Sequence, residues 1–232
     1  MFYEKRKAIT FSYDDAVTQD IRLIELLNKY GLKCTFNINS ELLGKDNMLI
    51  REGQRVSHYK IAREKVREVY EQHELAVHTL THPSLIKCSD EEIVRQVEED
   101  RKNIEALAGY EIRGMAYPNG SHAVDERVEK ILRDKTKVKY ARGTLCSYSF
   151  DMPENLYHFK PTVFHKEFDK MMELGKDFIE MKTDKPALFY IWGHSYEMDY
   201  DSLDWYKLEE FFKLISGRED IFYGTNSECL LG

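Results

Sequence analysis

Short apolar runs alternate along this chain with longer segments in which apolar residues recur every three to four positions. The runs predict buried β-strands, and the recurring positions predict amphipathic helices. The first run, Ala8–Tyr13, is followed by a helical pattern over residues 23–30 that ends at Gly31. The same alternation continues to the end of the chain.

Further strands are predicted at 33–39, 75–77, 112–117, 138–141, 186–192 and 221–223, with another expected within 157–164. Further helices are predicted at 61–69, 89–108, 124–132, 168–179 and 208–215. Residues 41–59 are polar and are expected to form an irregular connection. Strands that alternate with helices predict a parallel sheet with helical crossovers, either an open doubly wound sheet or a barrel.

Two observations favour the barrel over the open sheet. The first strand is not followed by a Gly-x-Gly-x-x-Gly pattern, which disfavours a nucleotide-binding sheet. The residues capable of chemistry follow predicted strands, which is where the active sites of parallel barrels lie.

Composition sets further bounds. With 232 residues, 42% of them hydrophobic, and no low-complexity linker, residues 1–232 are predicted to form one domain. The net charge of −7 is spread over both signs without a basic cluster, so nucleic acid is not an expected partner. No apolar run has the length needed for membrane insertion. Four dispersed cysteines predict free thiols, and residues 1–7 lack a signal-peptide core, so a cytoplasmic location is expected.

Two imidazoles, His78 and His82, follow the predicted strand Leu75–Val77. Pro83 cannot continue a helix, so the pair is expected on a loop. A separation of four residues lets both side chains reach one metal ion. The alternative is a pair of ordinary polar residues at the end of a strand.

Two adjacent carboxylates, Asp14 and Asp15, end the first predicted strand. Their repulsion and desolvation at the tip of an apolar strand would be relieved by a cation or by a division of roles. They equally suit the start of the following helix, where Asp side chains cap free backbone N–H groups.

Together these segments resemble the polysaccharide deacetylase family (carbohydrate esterase family four, the NodB-homology domain). The family's Thr-Phe-Asp-Asp-Gly motif corresponds to Thr10–Ala16, and its His-Ser/Thr-x-x-His motif is matched by His78–His82. The family's last histidine, which follows a hydrophobic strand, is matched by His194 after Leu188–Gly193. The resemblance implies an α/β fold, a distorted (β/α) barrel of about seven parallel strands.

The resemblance also implies an activity, the metal-dependent removal of acetyl groups from an N- or O-acetylated oligo- or polysaccharide. In the family's mechanism Asp15, His78 and His82 would hold the metal, Asp14 would be the general base and His194 the general acid. Two imidazole ligands favour a transition metal over magnesium. Zn²⁺ is expected first, with Co²⁺, Ni²⁺ or Mn²⁺ as alternatives.

In the family, an Arg-Pro-x-Tyr-like loop supplies an N–H group that binds the developing oxyanion. The comparable segment here is residues 113–120, in which Asn119 is the expected donor, beside Tyr117 and Pro118. Trp192 is expected either to wall an acetyl pocket or to pack in the core.

The chain departs from the family pattern at two places. Ala116 stands where the family has an arginine that orients the base, and either Arg113 or Arg142 is expected to replace it. No Asp-Trp pair matches the fourth motif, which leaves Asp151 and Glu197 as candidate acidic partners of His194.

These departures keep a second class of function open, a noncatalytic carbohydrate- or metal-binding protein that retains the fold. A close variant of the first class is hydrolysis of another small amide or formyl group. The remaining histidines, among them His58 and His165, are expected in ordinary surface or core positions.

Overall fold

The computed structural model describes residues 2, 4–51 and 53–232. The strands are β1 (Lys7–Asp14), β2 (Cys34–Ile38), β3 (Met48–Arg51), β4 (Gln54–Ser57), β5 (Glu74–Val77), β6 (Gly114–Ala116), β7 (Tyr140–Arg142), β8 (Val163–Phe164), β9 (Ala187–Gly193) and β10 (Ile221–Tyr223). The helices are α1 (Asp20–Lys29), α2 (Val66–Val69), α3 (Asp90–Ala108), α4 (Glu126–Lys135), α5 (Phe168–Glu180), α6 (Asp204–Ile215) and α7 (Asn226–Leu230).

The main sheet is a curled half-barrel of seven parallel strands in the order β7-β6-β5-β2-β1-β9-β8, which confirms the predicted α/β barrel type. An additional strand, β10, pairs with β1 through Lys7–Ile9, whereas β2 pairs with β1 through Phe11–Asp14. An isolated parallel bridge from Arg142 to Phe159 extends the β7 edge. Because all these strands are parallel, their carboxyl ends meet at one end of the half-barrel.

The two central strands, β1 and β9, are buried along their whole length. Side chains fill the barrel on one face and helices cover the other, so β9 is apolar throughout, whereas β1 also carries buried polar residues such as Thr10 and Ser12. On the helical side, Phe11 of β1 packs edge-on against Phe212 of α6, with ring centroids 5.2 Å apart. The residues that follow β1 and β9 are therefore held by strands that are buried along their whole length.

The segment 41–59 corrects the prediction of an irregular connection, because it contains the antiparallel hairpin β3–β4, in which Met48 pairs with Ser57. After the hairpin the chain returns to the carboxyl end of β1, where Lys60 forms an isolated bridge with Val17. The irregular connection was predicted because residues 41–59 are polar as a whole, although β3 itself begins with the apolar residues Met48, Leu49 and Ile50.

Two other predicted elements are shorter than expected. The helix predicted over 61–69 is reduced to α2, after a 3₁₀ turn at Arg63–Lys65. The strand expected within 157–164 is reduced to the two residues of β8. The helix α7 was not predicted, although Thr225 and Glu228 form a capping box at its start.

All four cysteines are free thiols, as predicted. Among the described residues, no helix combines the length and the apolar character that a membrane-spanning segment needs.

Candidate active site

The carboxyl ends of β1, β5, β6, β7 and β9 converge on one cavity of about 220 Å³. Its lining includes the two aspartates and three of the histidines singled out in the sequence. The lining residues are Asp14, Asp15, His78, His82, Tyr117, Asn119, Gly120, Thr144, Trp192, His194 and Tyr196. A larger cavity of about 570 Å³ lies at the amino ends of β2, β5 and β6. The smaller cavity is the candidate site, because it holds the clustered carboxylates and imidazoles.

Three side chains in this cavity form a candidate metal site. Ligand atoms of Asp15, His78 and His82 all lie within 4.8 Å of one another. The His78 Nδ1 atom lies 2.8 Å from the Ala116 carbonyl oxygen, which acts as an acceptor, so Nδ1 carries the proton and Nε2 keeps its lone pair. Burial lowers the pKa of His78 to about 4 and also lowers that of His82, so both imidazoles are neutral at pH 7.

This donor set fits a divalent transition metal. Donor atoms on one tetrahedral zinc lie roughly 3–4 Å apart, so small side-chain rotations bring these three to coordinating distance. Neutral imidazole nitrogen and carboxylate oxygen are the donors that zinc accepts at catalytic sites. A backbone carbonyl on the second nitrogen of His78 is the usual way to orient a histidine ligand.

The backbone that carries the three side chains is locally strained. The φ angles of Asp15, Thr79 and His82 are 87°, 66° and 61°, in the left-handed region that non-glycine residues seldom adopt. Asn39 Nδ2 donates to the Thr79 carbonyl at 2.9 Å, and the His82 N–H donates to Thr79 Oγ1 at 3.1 Å. These bonds hold the loop in a conformation that turns both imidazoles into the cavity.

Two residues of the segment after β4 contact Asp15. His58 Nε2 lies 3.2 Å from Asp15 Oδ2, and Lys60 Nζ lies 3.3 Å from Oδ1 and donates to the Asp15 carbonyl at 2.6 Å. Burial would raise the pKa of Asp15, but Lys60 and His58 outweigh it and hold the pKa well below its usual range. Asp15 is therefore ionised, as a ligand must be.

Asp14 is buried against an arginine. Arg142 Nη2 donates to Asp14 Oδ1 at 2.5 Å and to Oδ2 at 2.6 Å, and Asn37 Nδ2 donates to Oδ1 at 2.8 Å. Burial would raise the pKa of Asp14, but the Arg142 guanidinium, with smaller effects from nearby imidazoles, lowers it below the ordinary value. Arg142 stacks on the Trp192 ring, with its guanidinium carbon 4.9 Å from the ring centroid. Of the two arginines expected near the base, Arg142 is the one in contact.

His194 faces Asp14 from the end of β9. Its Nε2 lies 3.9 Å from Asp14 Oδ2, and its Nδ1 lies 3.1 Å from Glu197 Oε2. Burial would lower the pKa of His194, but Glu197, followed by Asp14, raises it to about 9. His194 is therefore a cation at neutral pH. Of the two acidic candidates, Glu197 is the partner, whereas Asp151 is exposed and accepts a bond from Ser149.

The residues expected to bind the oxyanion or substrate divide into two groups. Tyr117, Asn119 and Trp192 line the cavity, and Pro118 is buried between the first two. The Asn119 backbone is left-handed, with a φ of 59°, and its side chain is exposed. The prediction for Arg113 is wrong, because it lies at the amino end of β6, pairs with Glu111 at 2.9 Å and lines the larger cavity.

Several contributors were not found from the sequence, among them Asn37, His58, Lys60 and His165. Asn37 lies inside an apolar strand, and only the register that pairs it with Asp14 reveals its role. His58 and Lys60 follow a hairpin that was not predicted. A signal for His165 existed, since it ends a predicted strand as His78 and His194 do.

Fold and site together define a parallel half-barrel with a buried carboxylate–imidazole centre at its strand ends. The sequence model of the polysaccharide deacetylase family matches residues 3–138, which is more than half of the chain. The chain belongs to the polysaccharide deacetylase family. No curated protein sequence matches it.

Several solved structures share the fold. A pseudoenzyme of carbohydrate esterase family 4 from Bacillus anthracis is 18% identical, with a TM-score of 0.55, and the match covers 97% of this chain and 66% of that one. A family 4 carbohydrate esterase from Streptomyces lividans, in complex with acetate, is 10% identical, with a TM-score of 0.58 and coverage of 97% and 95%. The T48 deacetylase, solved with substrate, is 14% identical, with a TM-score of 0.57 and coverage of 98% and 92%.

Proposed function

We propose that this protein is a metal-dependent hydrolase that removes acetyl groups from an acetylated oligo- or polysaccharide. One observation carries the proposal: Asp14 and His194 face each other, with Asp14 Oδ2 3.9 Å from His194 Nε2, beside the Asp15–His78–His82 cluster. A base and an acid held in opposite protonation states at neutral pH are what acyl hydrolysis requires. Family membership and the acetate bound to the Streptomyces lividans esterase support acetyl as the acyl group.

Asp15, His78 and His82 would hold the ion, and zinc suits this donor set best. A divalent cation bound there would acidify water and polarise the acyl carbonyl. Asp14 takes a proton from the water that attacks the acyl carbon. The Asn119 loop supplies a backbone N–H to the developing oxyanion, and Tyr117 shapes that side of the cavity.

His194 completes the reaction. Its Nδ1 proton is bound by Glu197, so the transferable proton is on Nε2, which points toward Asp14. That proton goes to the leaving amine or alcohol as the bond from the acyl carbon breaks. Asp14 is then protonated and His194 neutral, and return of the Asp14 proton to His194 restores the starting state without net proton uptake.

Acetate release tests the proposal. The zinc-loaded protein is incubated with an N-acetylated chito-oligosaccharide and with acetylated xylan, and free acetate is measured. We expect release from at least one of the two, abolished by a chelator and restored by zinc. The same assay without metal, and with Asp14→Asn, supplies the controls.

A noncatalytic binder is the second candidate, because the Bacillus anthracis relative is described as a pseudoenzyme. Such a protein would bind the oligosaccharide in a calorimetric titration without releasing acetate. The retained Asp14 and His194, with their opposite protonation states, favour the enzyme.

A further inference from the structure

Behind His194, one buried carboxylate is shared by two imidazoles. Glu197 Oε2 lies 3.1 Å from His194 Nδ1 and 2.9 Å from His165 Nε2. The backbone N–H of His194 donates to the same oxygen at 3.3 Å. His165 is fully buried and is not among the residues that line the cavity. It therefore cannot touch substrate.

The direction of each hydrogen bond follows from the donors available. A carboxylate only accepts, so the proton of His165 lies on Nε2 and is donated to Glu197. The other nitrogen, Nδ1, then accepts, and Tyr13 supplies the O–H at 3.0 Å. Burial lowers the pKa of His165, which keeps this imidazole neutral with a single proton. The chain of donors thus runs from Tyr13 through His165 to Glu197.

The fold holds His165 tightly in this position. Its backbone N–H donates to the Trp192 carbonyl at 2.9 Å, which fixes the residue beside β9. A Cβ atom on Gly193 would lie 2.3 Å from His165 Cδ2, so only glycine at that position leaves room for the ring. The ring is therefore set in place by the pairing of β8 with β9.

A hydrogen bond donated to a carboxylate stabilises its negative charge and weakens its attraction for a second proton donor. We propose that His165 is a positioning residue for the acid His194: through the shared Oε2 atom of Glu197 it limits how firmly that carboxylate holds the imidazolium. The acid role itself rests on the proposed function. Without His165, Glu197 would hold the His194 proton more strongly and slow its transfer to the leaving group.

Other charged groups surround His194 and Glu197, and they are the same in all the variants below. Asp14 Oδ2 lies 3.9 Å from His194 Nε2, and the charges of Asp14 and Asp15 both raise the pKa of His194. Lys166 donates to the Glu197 carbonyl at 3.2 Å and pairs with Asp204. Asp20 accepts a hydrogen bond at 2.5 Å from the hydroxyl of Ser195, the residue after His194.

The test measures the protonation of His194 directly, by following its ring Cε1–H signal by NMR across pH in the zinc-loaded protein. The signal is assigned by its loss in His194→Gln. We expect His165→Leu to raise the pKa of His194 by about 0.5 unit or more, and Glu197→Gln to lower it by about one unit or more. His165→Gln keeps an N–H donor and should restore a value near that of the parent protein.

Glu167→Gln is the matched control for Glu197→Gln. It also removes a carboxylate near β8, but this carboxylate accepts a hydrogen bond from Tyr148. If His165→Leu does not fold, His165→Asn carries the same test, because the shorter side chain does not reach Glu197. Shifts of opposite sign at positions 165 and 197 would support the proposal. An unchanged His194 titration in the Leu or Asn variant would overturn it and leave His165 a merely structural residue.

The NMR readout does not depend on turnover. If the parent protein released no acetate, the proposed function would fail while the titration still decided whether His165 acts on His194. In an active enzyme, the alkaline limb of the kcat profile should move to higher pH in His165→Leu, to lower pH in Glu197→Gln, and not at all in Glu167→Gln.

Discussion

Arg142 and Asp14 form a buried ion pair across the half-barrel, with Arg142 Nη2 at 2.5 and 2.6 Å from the two carboxylate oxygens. The two residues are 128 positions apart in the chain. Neither is appreciably exposed, at 0% for Arg142 and 2% for Asp14. The pair keeps the proposed base ionised inside a cavity where burial alone would protonate it.

Asp14→Asn removes the base but keeps the size of the side chain. Since a general base contributes about 10²–10⁴-fold to a rate, we expect kcat to fall by roughly that factor. Zinc affinity, measured by calorimetric titration, should stay close to that of the parent protein, because the proposed ligands are untouched. Full retention of acetate release in this variant would show that Asp14 is not the base.

Arg142→Met leaves the Asp14 carboxylate buried without a cation. Loss of one partner of a buried pair costs about 3–5 kcal/mol, so we expect a fall of that order in the free energy of unfolding by urea at pH 7. The folded-state pKa of Asp14 is lowered, so the pair's stabilisation is present above the ordinary carboxyl pKa and is lost as pH falls through the folded value. The difference between variant and parent should therefore shrink in acid.

Arg113→Met is the matched control for that substitution. Arg113 is exposed and pairs only with the exposed Glu111 among the described residues. Such surface pairs contribute about 0–1 kcal/mol, so the variant should unfold almost as the parent does. Equal losses at positions 113 and 142 would contradict the role given to the buried pair.

His78→Ala removes one of the two proposed imidazole ligands. We expect the purified variant to bind zinc at least about tenfold more weakly than the parent protein and to lose acetate release. Zinc content after dialysis, measured by elemental analysis, gives a readout independent of activity. His122→Ala, at an exposed histidine, serves as the control and should keep both zinc and activity. Parental zinc content in the His78 variant would rule out the proposed ligand set.

The pH dependence of kcat/KM should be bell-shaped. Below neutrality the limit is protonation of Asp14, whose lowered pKa places this limb in acid. Above neutrality the limit is deprotonation of His194, whose pKa is raised to about 9. A cation bound nearby would lower this pKa, so the alkaline limb is expected at about pH 9 or below. Beyond the limb the rate should fall about tenfold per pH unit. A rate that still rose at pH 10 would exclude His194 as the acid.

Much of the fold followed from local patterns. The run that became β9 is apolar throughout, and the run that became β1 carries Ala8, Ile9, Phe11 and Tyr13 among buried polar residues, so both strands could be predicted without tertiary information. The hairpin β3–β4 was not predicted, because each of its strands has only four residues and neither shows a regular alternation of apolar and polar positions.

The candidate site, too, could be predicted only in part from the sequence. The sequence by itself determined which candidate residues lie at strand ends, because Asp14, His78 and His194 each follow a predicted strand directly. Only the tertiary structure decided the partners: Arg142 rather than Arg113, Glu197 rather than Asp151, and the unexpected His165 behind it. The local periodicity of the sequence predicts where a strand ends. The hydrogen-bonding partner of a side chain instead depends on sheet register and strand order, which bring together residues far apart in the chain.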